Sequence, residues 1–221
     1  MDLKTKKHVA IKTQCVHKNS SHILKEIPQY KNLDGKGFPN LISQGISLEN
    51  EFIFLVSDLL GPSLEDLFNF CGGKFSLMTT CMLFFQLLER LEYMHTHNVI
   101  HRDIKPDNIM LGLGPASNTV FLIDFGLTRS VIDSETGQHI PFCQGKGLIG
   151  TCRYVSANSH KGYELSRRDD LITLGYVIIR LFKGSLPWQF VTTQDRMIRS
   201  MEIGKMKEET TNSKLCEGCP E

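Results

Sequence analysis

The fold of this chain follows from two short motifs: HRDIKPDN at residues 101–108, and DFG at residues 124–126. They bring three oxygen-bearing side chains into a short span. The Asp103 carboxylate can accept or orient the proton of a hydroxyl group. The Asn108 amide oxygen and the Asp124 carboxylate are hard oxygen donors of the kind that hold Mg²⁺ against nucleotide phosphates. Residue types and spacing together point to phosphoryl transfer.

The spacing of these groups is the protein-kinase signature H-R-D-x-K-x-x-N followed by D-F-G, so the chain resembles that class of enzyme. Lys105, two residues after Asp103, can reach a transferring phosphate as a point charge. The apolar segment HVAIK at residues 8–12 resembles the V-A-I-K strand of kinases. The lysine of that strand pairs the nucleotide phosphates and a helix glutamate, so Lys12 is the predicted nucleotide lysine.

Length and composition limit the other possibilities. The 221 residues allow one large domain or two small lobes, and 41% hydrophobic with 22% charged residues is typical of a globular protein. The formal net charge of +1 gives no overall field that favours nucleic acid or a membrane surface. The sequence shows no signal-peptide core and no apolar stretch long enough to cross a bilayer, and its seven cysteines are scattered. We therefore expect no nucleic-acid or membrane partner and a reducing compartment, the cytoplasm, with the nucleus as an open alternative.

A helix is predicted at residues 19–33, where apolar residues fall partly on one face. Glu26 lies in it and is the candidate partner of Lys12; the alternative is an exposed helix glutamate. Pro28 disturbs this arrangement, because proline inside a helix costs about 3 kcal/mol and disfavours helical geometry in the residue before it. We therefore expect the helix to begin or bend near residue 27, which would displace Glu26.

Two strands are predicted at residues 41–46 and 51–56, joined by a polar turn. Gly61-Pro62 then interrupts the chain, and Ser63 is placed to cap a helix. We interpret this region as the hinge between a small sheet lobe and a larger helical lobe. Backbone groups near Leu60 are expected to bind an adenine ring.

The larger lobe contains a long amphipathic helix at residues 77–96, whose apolar stripe indicates core packing. The predicted fold class is α+β: one bilobal, protein-kinase-like domain with a truncated small β-sheet lobe and a mainly helical large lobe. We place the partial small lobe and its hinge at residues 1–60. The large lobe is placed at residues 61–221 and is expected to be incomplete at its C-terminus.

Both ends of the sequence lack parts that a kinase domain normally has. Eleven residues precede Lys12 and none is glycine, so the phosphate-covering loop G-x-G-x-x-G-x-V is missing there. Three explanations stay open: a fragment, a gene model that starts late, or a protein that has lost part of its nucleotide roof. The further helices that complete a kinase large lobe are also missing, which would expose apolar surface. We therefore expect both ends to be cut.

Beyond the general kinase signature, seven segments resemble the casein kinase I family, and the resemblance extends from about residue 9 to the end of the chain. They are LGPSLEDLF at 60–68, HRDIKPDN at 101–108, MLGLG at 110–114, HIP at 139–141, GTCRY at 150–154, SRRDDL at 166–171 and GSLPWQ at 184–189. Ordinary kinases carry A-P-E after the activation segment. Here the sequence has Ser156-Ala157-Asn158, which is similar to the S-I-N of this family.

The resemblance implies a Ser/Thr protein kinase that uses ATP and Mg²⁺. It makes Asp103 the catalytic base, Lys105 the phosphate-facing lysine, and Asn108 and Asp124 the metal ligands. The implied catalytic residues are Asp103, Lys105 and Asn108, and the implied nucleotide-binding residues are Lys12, Glu26, Asp58, Leu60, Met110, Ile123 and Asp124. Asp170 matches an aspartate that braces the catalytic loop from the start of a buried helix, which is a structural role.

The family tends to favour acidic or already phosphorylated protein substrates, through basic residues around the activation segment. Arginine side chains suit phosphate oxygens; the alternative is solvated surface charge. Arg199 can take the place of a further basic residue, whereas Phe190 stands where the family has a glycine whose backbone helps to bind an anion. The predicted substrate anion site consists of Arg102, Arg129, Lys146 and Arg153.

Two further features and a second function complete the expectations. Ser57 stands at the back of the adenine pocket, where this family usually has a larger residue, so a roomier pocket is predicted. Cys216 and Cys219 form one C-x-x-C pair in the polar tail; structural zinc needs about four ligands, so we interpret them as free thiols. Beside an active kinase, a catalytically weak kinase-like module that binds partners or phosphorylated segments stays open.

Overall fold

The computed structural model describes residues 6–15, 22–47, 49 and 51–220, which form a small part built on a sheet and a larger, mainly helical part. The small part contains strand β1 (Val9–Cys15), helix α1 (His22–Asn32), strand β2 (Leu41–Ser47) and strand β3 (Phe52–Asp58). Its strands form one antiparallel sheet in the order β1-β3-β2. The two predicted strands are thus confirmed as neighbours in one sheet.

The larger part contains helices and two short strand pairs. The helices are α2 (Leu64–Phe70), α3 (Leu77–Thr96), α4 (Ala157–His160), α5 (Arg167–Lys183), α6 (Arg196–Glu209) and α7 (Asn212–Leu215). Strand β4 (Val99–Ile100) pairs with β7 (Arg129–Ser130), and β5 (Ile109–Leu111) pairs with β6 (Val120–Leu122), both antiparallel. Helices and small antiparallel sheets together make an α+β fold. Within the described ranges, no helix is long and apolar enough to cross a membrane.

Strand β3 is the centre of the small sheet, and its side chains alternate between buried and partly exposed positions. Ile53, Leu55 and Ser57 are the buried ones. Successive side chains of a strand point to opposite faces, so one face of β3 lies against the core while the other is more open. Helix α1 contacts this sheet and closes its inner side.

Helix α1 begins at His22 and continues through Pro28, so the expectation that it would begin near residue 27 is wrong, while a bend there stays a prediction. Ile23 and Tyr30, on either side of the proline, are only 1% and 7% exposed. Burial of one such side chain contributes about 1.5–3 kcal/mol, so two of them offset the roughly 3 kcal/mol that an internal proline costs. Residues 19–21 of the predicted helix lie outside the described residues.

Polar caps start the two helices after the hinge where the sequence predicts them. The Ser63 hydroxyl accepts a hydrogen bond from the Asp66 N–H at 3.1 Å, and the Ser63 N–H donates to the Asp66 carboxylate at 3.1 Å. This reciprocal pair satisfies two N–H groups that the first helical turn leaves unbonded. Ser76 caps α3 through its side chain alone, without a reciprocal bond. Helix α3 has the predicted span of residues 77–96.

Helix α5 carries buried charges that hold the larger part together. Asp169 and Asp170 lie in its first turn, and both are buried. Further along α5, the guanidinium of Arg180 makes two hydrogen bonds of 2.7 Å with the Glu65 carboxylate and lies 4.1 Å over the ring of Phe68. This two-pronged contact positions α2 against α5.

The polar tail is more ordered than the sequence suggests, since it contains α6 and α7. Ile203 and Gly204 of α6 are buried against the rest of the larger part. Cys216 and Cys219 follow α7 and are free thiols, as predicted. Tertiary packing of a short apolar face explains why α6 forms in a segment of low overall hydrophobicity.

Candidate active site

A cavity of about 290 Å³ lies between the small sheet and the larger part. It receives side chains from β1, α1 and β3, from the hinge, and from the segments around the two motifs. Its lining includes these predicted site residues: Lys12, Asp58, Leu60, Asn108, Met110, Ile123 and Asp124. The fold therefore brings together the cavity-lining residues that the sequence predicts, although they come from four separate segments.

The centre of the cavity is a three-charge group. The Lys12 ammonium donates to the Glu26 carboxylate at 2.7 Å and to the Asp124 carboxylate at 2.9 Å. Glu26 is completely buried behind Lys12, whereas Lys12 and Asp124 are partly exposed to the cavity. The predicted pairing of Lys12 with Glu26 is therefore present, and Pro28 does not displace it.

The members of this group change one another's ionisation. Burial, and then the hydrogen bond with Asp124, raises the pKa of Glu26 to about 7, while Lys12 opposes the shift. Burial tends to raise the pKa of Asp124, yet its hydrogen bonds with Glu26 and Lys12 hold that pKa below its usual range. Burial tends to lower the pKa of Lys12, but its two carboxylate partners outweigh this and raise it overall. Near neutral pH, Glu26 is the member of the group that changes protonation.

Asp103 is held from two sides by neighbouring polar groups. Its Oδ1 accepts hydrogen bonds from the backbone N–H and the hydroxyl of Thr151, at 2.8 and 2.7 Å. Its Oδ2 lies 3.0 Å from the Lys105 ammonium. A cavity of about 400 Å³ is lined by Asp103 together with Lys12 and Asp124, so the predicted base faces the same space as the three-charge group.

Thr151 is a site residue for which the sequence predicts no role. It belongs to the GTCRY segment at residues 150–154 that resembles the casein kinase I family. Its hydroxyl also lies 3.3 Å from the Lys105 ammonium, so it joins Asp103 to Lys105. Only the fold shows this, because 48 residues separate Thr151 from Asp103 along the chain.

Asn108 and Asp124 have the donor chemistry for Mg²⁺. The Asn108 amide nitrogen donates to the Asp103 carbonyl at 2.9 Å, so its amide oxygen is the atom left for a cation. Both residues line the 290 Å³ cavity. One amide and one carboxylate suit Mg²⁺, which takes few protein ligands and completes its shell with phosphate oxygens and water. The described ranges contain no cluster of three or more His, Cys, Asp or Glu side chains that could hold a metal without such help.

The loop at residues 101–108, the predicted catalytic loop, is braced by Asp170 at the start of α5. One carboxylate oxygen accepts from the His101 N–H at 2.8 Å, and the other accepts from the Arg102 N–H at 2.9 Å. The ring of His95 lies 2.9 Å from the first oxygen. Arg102 has φ of +68°, a conformation that costs a residue with a side chain about 1–2 kcal/mol. Asp170 therefore stabilises a strained backbone immediately before Asp103.

A stack of three rings connects α1 to the catalytic loop. The Phe125 ring lies 4.9 Å from that of Tyr30 and 6.1 Å from that of His101, between centroids, and both contacts are edge-on. Tyr30 stands four residues after Glu26, so the two share one face of α1. The stack consequently helps to set the position of Glu26. The spacing of Tyr30 from Glu26 is the signal that could have identified it from the sequence.

The hinge contributes backbone groups to the cavity rather than charged side chains. Among the described residues, neither the N–H nor the C=O of Leu60 has a hydrogen-bond partner, so both are available to a ligand. The Asp58 carboxylate accepts from the backbone and side-chain amides of Asn40 at 2.9 and 2.7 Å. Both bonds end on Oδ2 and fix the orientation of the Asp58 side chain, whose residue lines the cavity at the hinge. Met110 and Ile123 line the cavity beside these groups.

Two of the four predicted anion-site residues contact the buried carboxylate of Glu164, and a third, Arg102, is close enough to be affected by their charges. Arg129 Nη1 lies 2.7 Å from Glu164 Oε1, and Lys146 Nζ lies 3.6 Å from Oε2. Burial, and then the positive charge of Arg129, lowers the pKa of Arg102. Arg102 Nε donates to the Leu127 carbonyl at 2.6 Å. Asp170 also acts on Arg102, so three cations face two carboxylates, and the remaining positive charge can attract an anionic group.

Arg153 lies apart from this cluster, so the four predicted residues do not form one site. It lines a cavity of about 660 Å³ beside Arg196 and Arg199 of α6. The reason is the turn at residues 150–155, which carries Arg153 towards α6, while Arg129 and Lys146 converge on Glu164. The lining of this cavity also includes the carboxylates of Glu65 and Asp107. The described residues thus contain two separate regions in which basic side chains gather.

The match to known families agrees with this geometry. The sequence matches the family described as "Protein kinase domain" over residues 1–217, which is nearly the whole chain. Enzymes of this family transfer a phosphoryl group from ATP with the help of Mg²⁺. The match is to the kinase domain in general and does not distinguish one kinase type from another. The chain therefore belongs to the protein kinase domain family.

Proposed function

We propose that this chain is a Ser/Thr protein kinase of the casein kinase I type, which transfers the γ-phosphate of ATP to serine or threonine of protein substrates. The observation that carries the proposal is that Lys12, Asp124 and Asp103 line one cavity. Lys12 forms an ion pair with Asp124, and Asp103 forms one with Lys105. Phosphoryl transfer needs positioning and electrostatic stabilisation more than covalent chemistry, and such groups supply both.

The reacting groups have separate roles in this proposal. Asp103, oriented by Thr151, accepts or orients the proton of the substrate hydroxyl. Lys105 stabilises the charge of the phosphate during transfer. Asn108 and Asp124 hold Mg²⁺, which neutralises charge on the nucleotide phosphates when it is bound.

The nucleotide has a binding surface on the opposite side of the cavity. Lys12, held by Glu26, directs its ammonium towards the phosphates. The backbone of Leu60, with that of Asp58, binds the adenine edge. Met110 and Ile123 present apolar surface to the ring, as is usual for pockets that combine apolar walls with a few polar contacts.

The two basic regions support a preference for acidic or already phosphorylated protein substrates. Arg153, Arg196 and Arg199 line the cavity of about 660 Å³, called the larger cavity from here on. A phosphate can accept several hydrogen bonds from such a group of guanidinium side chains. The cluster around Glu164 offers a second positive region near the activation segment. Phe190 does not reproduce the family glycine, so the backbone contribution expected there is replaced by arginine side chains in this proposal.

The test is transfer of labelled phosphate from ATP to casein, an acidic protein, with Asp103→Asn as the inactive control. Removal of a general base typically lowers the rate by about 10²–10⁴-fold. Transfer by the wild-type chain well above the control supports the kinase. No transfer above the control by a demonstrably folded protein would favour the alternative, a kinase-like module that binds without catalysis.

A second arm tests the substrate class. Arg153→Gln should raise KM for a phosphorylated peptide by about tenfold while leaving KM for the unphosphorylated peptide nearly unchanged, because only the former loses charge-assisted hydrogen bonds. Arg168→Gln is a suitable control, since Arg168 is exposed and pairs with Asp169 instead. Equal effects of both variants on both peptides would remove the basis for the proposed preference.

A further inference from the structure

Lys207 is a buried ammonium group beneath the loop at residues 150–155, which forms one wall of the larger cavity. It lies in the last turn of α6 and is only 5% exposed. Its Nζ donates to the Cys152 carbonyl at 2.8 Å and to the Val155 carbonyl at 2.6 Å. Burial of a charged lysine costs free energy unless the N–H groups of its ammonium have hydrogen-bond acceptors, so these contacts indicate a specific structural role.

The third hydrogen of the ammonium is directed at a histidine. His160 Nε2 lies 3.3 Å from Lys207 Nζ. An ammonium can only donate, so Nε2 must accept, and the ring must be neutral with its proton on Nδ1. That nitrogen lies 3.2 Å from the Ser200 hydroxyl, which can accept the proton's hydrogen bond. Burial, and then the charge of Lys207, lowers the pKa of His160 to about 4, in agreement with a neutral ring.

No carboxylate forms an ion pair with Lys207 in the described part of the chain; aromatic rings take that place. The ammonium lies 5.2 Å from the centroid of the Trp188 ring and 5.4 Å from that of Tyr176. Burial lowers the pKa of Lys207 to about 7, whereas cation–π interactions, which these distances allow, favour the charged form in a desolvated site. The ammonium is therefore held by neutral groups on all sides, and its two shortest contacts are both to the loop.

Lys207 and Trp188 together engage three carbonyls of this loop. Trp188 Nε1 donates to the Arg153 carbonyl at 2.8 Å, between the two carbonyls bound by Lys207. The loop carries Thr151, which holds Asp103, and Arg153, which faces the larger cavity. The backbone on both sides of Arg153 is thus attached to one ammonium group.

We propose that Lys207 is a positioning residue for the protein substrate: it holds the loop at residues 150–155 so that Arg153 faces the anion of the substrate. This rests on the proposed function, since it assumes that the larger cavity receives the acidic or phosphorylated part of a substrate. Lys207 acts through the carbonyls of Cys152 and Val155 and does not touch the substrate itself. The contribution is specific to anionic substrates, because it is expressed through Arg153.

The test uses Lys207→Met, which keeps the apolar stem and removes the donors, with Lys205→Met as the matched control. Lys205 lies two residues earlier on α6, and its side chain is 76% exposed. Binding of a fluorescein-labelled phosphoserine peptide and of its alanine analogue is measured by fluorescence anisotropy. We expect Lys207→Met to weaken binding of the phosphoserine peptide by about tenfold, the effect of losing a charge-assisted contact, with little change for the analogue or for ATP.

A double variant that also changes Arg153 distinguishes a positioning role of Lys207 from a general loss of stability. In the double variant with Arg153→Gln, the effect of Lys207→Met on phosphoserine-peptide binding should nearly vanish, because the two residues act through one contact. Additive effects, or equal weakening for both peptides, would overturn the proposal. If Lys207→Met does not fold, His160→Leu removes one of the three acceptors and should give a smaller, equally selective loss; no loss in that folded variant would also overturn it.

Binding and catalysis give separate outcomes in this design. Phosphate transfer by the wild-type chain tests the proposed function, whereas the difference in peptide affinity between variants tests Lys207. A wild-type chain that binds the phosphoserine peptide selectively but transfers no phosphate would refute the kinase while leaving the role of Lys207 supported. Phosphate transfer by the wild-type chain, with no selective effect of Lys207→Met on peptide binding, would support the kinase and refute the role of Lys207.

Discussion

Replacement of Asp170 by asparagine should separate the brace of the catalytic loop from the stability of the fold. The Asp170 carboxylate accepts three hydrogen bonds, from the His101 N–H at 2.8 Å, the Arg102 N–H at 2.9 Å and the His95 ring at 2.9 Å. Asparagine has nearly the same shape but only one acceptor oxygen. With that oxygen kept on His101 and His95, its amide NH₂ must face the N–H of Arg102.

The magnitude follows from these three bonds. Loss of one charge-assisted bond costs about 1.5–3 kcal/mol, and conversion of the other two from a charged to a neutral acceptor costs about 0.5–1 kcal/mol each. The free energy of unfolding should therefore fall by about 2.5–5 kcal/mol, which leaves a domain with a stability of about 10 kcal/mol folded. Arg102, at φ of +68°, then loses the bond that holds its strained backbone, so it relaxes and displaces Asp103.

Asp169→Asn is the matched control, because Asp169 stands beside Asp170 in the same helical turn. Its carboxylate also accepts three hydrogen bonds, from Ser156 at 2.7 Å, Asn158 at 2.8 Å and the Ser166 N–H at 2.8 Å, none of them from the catalytic loop. The assay compares unfolding in urea with kcat for phosphate transfer at saturating ATP and casein. Both variants should lose similar stability, but kcat of Asp170→Asn should be at least about tenfold lower than that of Asp169→Asn. Equal kcat values in the two folded variants would refute the brace.

Three further predictions concern the cavity and the buried histidine. Ser57→Met should weaken binding of bulky ATP-site inhibitors by about tenfold, since the larger side chain fills the back of the cavity; equal affinities in a displacement assay would contradict a roomier pocket. ATP affinity should rise as pH increases through about 7, because Glu26 must be ionised to hold Lys12, and titration calorimetry should show no such rise in Glu26→Gln. The pKa of His160 is about 4 when folded and 6.5 when unfolded, so between these values the unfolded state binds more protons. The free energy of unfolding in urea should therefore decrease as pH falls through this window, and a slope that persists unchanged in His160→Leu would assign it to other groups.

Local signals were sufficient for the elements whose ends depend on adjacent residues. Helix α3 has the predicted bounds, and Ser63 caps α2, because capping and helical periodicity are interactions over one or two turns. Pro28 is the instructive failure. An internal proline has a local cost, but the burial of Ile23 and Tyr30 against distant parts of the chain offsets it. Similarly, α6 was missed because its short apolar face is stabilised by packing rather than by composition.

The candidate site shows the same division. Asp103, Lys105, Asn108 and Asp124 are predicted from the sequence, since phosphoryl transfer requires those residue types at those spacings. The contacts that orient them could not, because Thr151 and Asp170 lie 48 and 68 residues away from the groups that they bind. The basic residues show the difference most directly. From the sequence, Arg129, Lys146 and Arg153 are equally plausible members of one anion site. In the fold, Arg129 and Lys146 pair with Glu164, whereas the turn held by Lys207 places Arg153 in a different cavity.

The chemistry that we propose for this chain rests on two motifs and a strand lysine, because reactive groups must be of particular types and cannot be exchanged freely. The orientation of the predicted reactive groups depends on the tertiary structure, because hydrogen bonds and buried charges join segments that no local pattern connects. Lys207 is the clearest case: in the sequence it is one lysine of a polar tail, and in the fold its ammonium holds the backbone on both sides of Arg153. Burial turns an ordinary surface residue type into a positioning group, since a desolvated ammonium is stable only where every acceptor around it is in place.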